Sequence, residues 1–196
     1  MTKLQDGTGN NGYAEVNKFN QLEVRSESNS FQHVISHRDG QAYQVIGSST
    51  LASATIIPLH IKNTSTDKNM VITYIRHQVI DQAGGTALPS LVNYLRIAFD
   101  RTVASGGSAA IPVNMNTGSG NTAEVTATEA NPTMAGTAAE FDRWYTKAEG
   151  DMDTWNKEGA VLVAPNGTVE LAYVGDQTSG TVFTRVSFLM EDVDVI

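Results

Sequence analysis

The side chains best suited to chemistry gather in one stretch. Glu140, Asp142, Glu149, Asp151 and Asp153 surround Trp144, Tyr145 and Trp155. Two carboxylates held about 5 to 9.5 Å apart across a glycosidic bond, one with a raised pKa, can hydrolyse it. Aromatic rings beside carboxylates also bind sugars without cutting them. The same residues equally describe a solvated loop with aromatic anchors, and no nucleophile–base signature accompanies them. The stretch is read as non-catalytic, with Trp144, Tyr145 and Trp155 as candidate surface-binding residues.

The chain has four histidines. His33 and His37 lie four apart with Asp39 close behind, the residue types of a two-histidine, one-carboxylate metal site. No glutamate stands between them as in the H-E-x-x-H motif. Hydrogen bonding, within the chain or between subunits, is the preferred reading, and no metal or other cofactor is expected. His60 and His77 fall on separate strands and read as exposed or cross-strand partners. Glu191, Asp192 and Asp194 look like a calcium cluster only until Val193 and Val195 are seen to continue a strand alternation. Asn63-Thr64-Ser65 and Asn166-Gly167-Thr168 are chance glycosylation matches in an Asn/Thr-rich chain. No phosphate loop, dinucleotide fingerprint or nucleophile elbow occurs, so no catalytic residue is assigned and an enzyme is not expected.

The elements that must position these residues are strands. Alternation of apolar and polar residues, the period of a half-buried strand, runs through Ile57–Ile61, Leu95–Phe99, Val169–Tyr173 and Val182–Met190. Met70–Ile80 and Gly159–Ala164 are further candidates, rich in Val, Ile and Tyr. Pro58 lacks an N–H, which predicts an edge strand or a bulge there. Gly84-Gly85, Ser105-Gly106-Gly107 and Thr117–Asn121 are turn signals, and Pro165-Asn166-Gly167 predicts a hairpin. Roughly eight strands joined by Gly/Asn turns predict an all-β fold, a jelly-roll-like β-sandwich. Ala138–Asp153 reads as a short helix closed by Gly150, or as an inserted loop with one helical turn.

Residues 1–41 differ from the rest. Tyr13, Val16, Phe19, Leu22 and Val24 are spaced widely among Asn, Gly, Gln, Ser and charges. Such a segment buries too little area to fold alone. It reads as an extended N-terminal arm whose apolar anchors bind a partner. The division expected is an arm over 1–41 and a sandwich over 42–196, with an inserted loop near 131–158.

Composition narrows the function. In 196 residues there are no cysteines, which excludes disulfides and thiolate sites. A net charge of −8 argues against a nucleic-acid binder, which needs a basic face. Only 17% of residues are charged, which suits either strands joined by many tight turns or a surface that packs on other chains. Met1 to Gly12 contains no apolar stretch resembling a signal peptide. No apolar run approaches the roughly 20 residues of a spanning helix, so a soluble protein without membrane partners is expected.

Four segments carry a resemblance. They are Ala14–Arg25, with its Val16-Asn17 and Leu22-Glu23-Val24 phrasing, Gln41–Val45 after the histidine-containing linker, Ile61–Ser65 ahead of Met70-Val71-Ile72, and Ile111–Asn121. Spanning about residues 14 to 121, they resemble small virion structural proteins of tailed phages, of the capsid decoration or cement type; Ala138–Glu158 has no counterpart. The resemblance implies a non-enzymatic β-sandwich assembled in the host cytoplasm and seated on the capsid exterior. Its partner would be the major capsid protein, and the chain would form a homo-oligomer, with a trimer favoured. The alternative is a tail-fibre or receptor-binding, carbohydrate-binding virion module.

Overall fold

Alternating Val, Ile, Leu and Tyr positions set one face of each strand against a common interior. In the computed structural model, Ser36 and residues 39–193 are described, together with the backbone of three short strands nearer the N-terminus; of 157–160 only the backbone is described. The chain forms two compact units, Met1–Phe31 and Gln32–Ile196.

The first unit holds β1 (Leu4–Gln5), β2 (Tyr13–Val16) and β3 (Leu22–Glu23), antiparallel and in that order. Tyr13 and Val16 bound β2, and Leu22 opens β3. Of the anchors expected in the arm, Phe19 and Val24 lie outside the described residues, as do His33, His37 and Asp194.

The second unit is built from β4 (Ala42–Thr50), β5 (Thr55–Asn63), β6 (Lys68–Ala83), β7 (Tyr94–Phe99), β8 (Thr102–Ser105), β9 (Ser108–Ala110), β10 (Val113–Asn114), β11 (Val125–Glu129), β12 (Thr133–Ala135), β13 (Ala139–Tyr145), β14 (Met152–Val163), β15 (Thr168–Val174) and β16 (Ser179–Asp192). One sheet has the order β10-β4-β16-β6-β14, and the other β13-β7-β15-β5-β11-β9. β8 and β12 form a separate two-stranded ribbon.

The pairing is nested. β4 pairs with β16, β5 with β15, β6 with β14 and β7 with β13, all antiparallel. A long ribbon of four such pairs, folded over so that β16 also meets β6 and β15 meets β7, is a jelly roll. The fold is an all-β sandwich, as the alternation predicts. Its core draws Tyr43, Val45, Ile72, Ile75, Val186 and Phe188 from one sheet against Leu59, Ile61, Leu95, Ile97, Val169 and Leu171 from the other. Gly47 is required where β4 passes over β5, because a side chain there would collide with the Pro58 carbonyl oxygen.

Three sequence expectations change in detail. β5 is interior rather than an edge, but it does bulge at Pro58: Leu171 faces Leu59 while Tyr173 faces Ile56. The extra residue hands the inward position from Ile57 to Ile56, and Asn131 Oδ1 accepts the Ile57 N–H. Pro165-Asn166-Gly167 makes a turn, with φ of 63° at Asn166 after proline, the pattern of type II. It joins β14 to β15, which lie in opposite sheets, so no hairpin forms. Ala138–Asp153 is neither helix nor plain loop. Ala139–Tyr145 is β13, whose Trp144 and Asp142 face the interior at strand spacing, so tertiary burial overrides helix-compatible residues.

Candidate binding surface

β13 and β14 position the aromatic and acidic residues singled out by sequence. Trp144, opposite Leu95, points inward and stacks on Trp155 with centroids 6.1 Å apart and 8° between planes. Trp155 is 8% exposed and belongs to the core. Its indole N–H donates to Asp142 Oδ2 at 3.2 Å. Only Tyr145 of the three is solvent-facing, packed edge-on against Tyr94 over which the Arg143 guanidinium lies. The carboxylates go to separate partners. Asp153 accepts the Lys147 backbone N–H and its ammonium, Glu149 accepts the Gln82 N–H, and Glu140 pairs with Arg143.

The remaining histidines are internal. His60 is buried on the outer side of the second sheet, and its Nε2–H donates to the Arg101 carbonyl at 2.9 Å. Burial pulls its pKa below the ordinary value, although the Arg101 carbonyl and Glu170 oppose this. Beside it Glu170, 1% exposed, receives Arg96 Nη2 at 2.7 Å and Arg101 Nη1 at 2.9 Å. Sequence reasoning missed this cluster, because Arg101 sits beyond the end of β7 and only the turn into β8 returns it to the sheet. Among the described residues, no three His, Asp or Glu side chains gather as metal ligands would.

Loop amides organise the ends of the sandwich. Asn63 donates to the carbonyls of Lys68 and Val163, and its Oδ1 accepts the Ser65 N–H. Asn93 donates to the Thr86 carbonyl and Asp176, while its Oδ1 accepts the Tyr173 hydroxyl at 2.8 Å. Asn114 ties its loop to the Gly40 and Asn121 carbonyls.

The outer face of the β10-β4-β16-β6-β14 sheet has a different character. Register places four rungs on it. Leu162, Val71, Leu189 and Ala42 form the first, and Asn156, Tyr74, Ser187, Gln44 and Val113 the second. Thr154, Arg76, Arg185 and Ile46 form the third, and Met152, Gln78, Phe183 and Ser48 the fourth. Met115 extends the first rung, since its N–H donates to the Ala42 carbonyl. Ile46 (48%), Val113 (63%), Met115, Met152 and Leu162 (54%) are all exposed. They are spread over different strands with Asn156, Ser187, Gln44, Thr154 and the two arginines between them, while Ala42, Val71 and Leu189 of the first rung are themselves buried. The face is therefore a mixed one, with exposed apolar positions that make it a candidate interaction surface. Across the third and fourth rungs a cavity of about 390 Å³ opens beside Ile46, Arg76, Gln78, Met152, Phe183 and Arg185. Strand alternation alone identifies Arg185 as outward, but only the register shows which residues share its rung.

The chain matches no known protein-family model and no curated protein.

Proposed function

We propose that this chain is a non-enzymatic virion structural protein of a tailed phage that attaches to the outside of an assembled capsid and reinforces it, with the major capsid protein as partner. The observation that supports the reading best is the outer face of the first sheet, on which Ile46, Val113, Met115, Met152 and Leu162 are exposed. A face of this kind stabilises an assembly by burying apolar area against a partner at about 25 cal/mol per Å². The jelly roll suits it, since nested pairing protects most strand edges while leaving part of one sheet face exposed. The sequence resemblance supplies the kind of partner. The N-terminal segment, with Tyr13, Val16, Phe19, Leu22 and Val24, supplies a second contact, because a sequence with few and widely spaced apolar residues gains by lying on a neighbour. Homo-oligomers, with a trimer favoured, would bring several such segments around one axis.

Co-sedimentation with capsids lacking the protein tests this. The full chain should pellet with them, and a chain beginning at Gln32 should pellet less. If neither pellets, the reading is wrong.

The exposed rings of Tyr145 and Phe141 on the edge strand β13 favour a second reading, a carbohydrate-binding virion module facing the host. That reading requires glycan binding by the isolated protein that Tyr145→Ala and Phe141→Ala abolish.

A further inference from the structure

We infer that the cavity between Arg76 and Arg185 is a binding site for a carboxylate group carried on a compact, partly apolar body. Arg185 on β16 and Arg76 on β6 are direct register partners on the outer face. Like charges placed directly opposite on neighbouring strands oppose folding unless something lies between them. Among the described residues neither guanidinium takes part in an ion pair, whereas Arg96, Arg101 and Arg143 each do. Their neighbours on the same rung are Thr154 and Ile46, which carry no charge. The Glu129 carboxylate, which reaches β4, is engaged by the backbone N–H and hydroxyl of Ser48.

Arg76 is also held in place. Its guanidinium lies 5.0 Å from the centre of the Tyr74 ring, and its Nε donates to the Tyr74 hydroxyl at 2.9 Å. That use of Nε leaves the terminal nitrogens for a ligand. Two guanidinium groups on adjacent strands, about 4.8 Å apart at the backbone, can each donate to one oxygen of the same carboxylate. Ile46, Phe183 and Met152 give the cavity apolar walls, and the Gln78 amide lies beside them, held by the Gly150 carbonyl. A volume of about 390 Å³ falls at the small end of ligand sites, roughly 300–1,000 Å³. The net charge of −8 disfavours polyanions such as nucleic acid, so a single carboxylate on an otherwise neutral body is the better match.

Two sources offer that chemistry, a free acidic sugar and an aspartate or glutamate of a partner surface. The inference rests on this face being a binding surface, not on which particle it meets.

NMR titration of the full chain tests it. The probes are D-glucuronate and capped glutamate, with glucose and capped glutamine as neutral counterparts. Saturable shifts should centre on Arg76, Arg185, Ile46 and Phe183 with the acids and be missing with the neutral molecules. Arg185→Gln should weaken binding about tenfold or more with its melting temperature unchanged or raised, because a like-charge contact is relieved. Arg185→Lys, which keeps the charge and loses the planar fork, gives the same comparison if the glutamine variant does not fold. Tighter binding of glucuronate assigns the site to a free sugar, and tighter binding of capped glutamate assigns it to a protein side chain. The site is refuted by equal responses to acid and neutral probes, by no saturable shift, or by affinity unchanged in both variants. Such a failure leaves capsid co-sedimentation intact, so the two readings fail separately.

Discussion

His77 and Tyr173 lie ring over ring between the two sheets, with centroids 6.2 Å apart and planes 23° from parallel. His77 is fully buried, and its Nδ1 lies 3.4 Å from the Thr184 hydroxyl. Burial moves its pKa down from 6.5 to about 4, against the opposing field of Asp153, its neighbour across the ladder. The unfolded chain takes up this proton near 6.5 and the folded protein only near 4, so the unfolded state binds more protons in between. Stability should therefore fall as pH drops from 6.5 towards 4, by ~3 kcal/mol in total from this residue. His60, also shifted down by burial, adds to the same trend. Urea midpoints at pH 7 and pH 4.5 check this. The wild type should lose stability between them, and His77→Gln should lose clearly less. Equal slopes would remove His77 from the account.

Glu170 is a buried carboxylate shared by two arginines, with both of its oxygens occupied. Glu170→Gln removes the charge and leaves Arg96 and Arg101 facing each other, each only about a fifth exposed or less. Breaking one partner of a buried ionic cluster costs about 3–5 kcal/mol. The lower end applies here, because both arginines retain some access to water. Denaturant unfolding should show a loss of ~3 kcal/mol without a change in m-value. A loss under about 1 kcal/mol would mean that the arginines find water or other acceptors as readily as they find the carboxylate.

Trp155→Ala should destabilise the fold by about 3–5 kcal/mol, because the ring is core, stacked on Trp144 and tied to Asp142. Tyr145→Ala, on an exposed ring, should change stability by less than about 1 kcal/mol. Thermal melts of the two variants side by side separate a structural role from a surface one. Near-equal melting temperatures would contradict the burial assigned to Trp155.

Alternation made the strands legible because the inward positions of the main strands recur every second residue, and Leu95, Ile97, Val169 and Leu171 all face inward as read. Pro58 was legible as an edge or a bulge from its missing N–H, and the bulge is what forms. What sequence could not supply was pairing. Trp144 and Trp155 read as surface rings because acidic neighbours surround them, yet the register of β13 and β14 turns both to the interior. Asn166 signalled its turn correctly, but the turn gave no sign that β14 and β15 part to different sheets. Glu170 and Arg101 are far apart in sequence, and the arginine pair at positions 76 and 185 is farther still, so neither contact leaves a local pattern.

The exposed apolar residues of the outer face permit a last test that separates binding from folding. Ile46, Met152 and Leu162 stand on three different rungs, each about half exposed. A half-exposed side chain gains little from the folded monomer, so Ile46→Ser and Leu162→Ser should each shift stability by less than about 1 kcal/mol. If the face is covered in an assembly, the same changes remove apolar area from a buried interface and should weaken binding by about tenfold or more each, where a site near the interface centre carries about 2 kcal/mol. The measurement is co-sedimentation with capsids lacking the protein, alongside thermal melts of the same preparations. Normal melting with lost binding places the contact on this sheet. Normal melting with full binding moves the contact elsewhere, and the N-terminal unit then becomes the place to look.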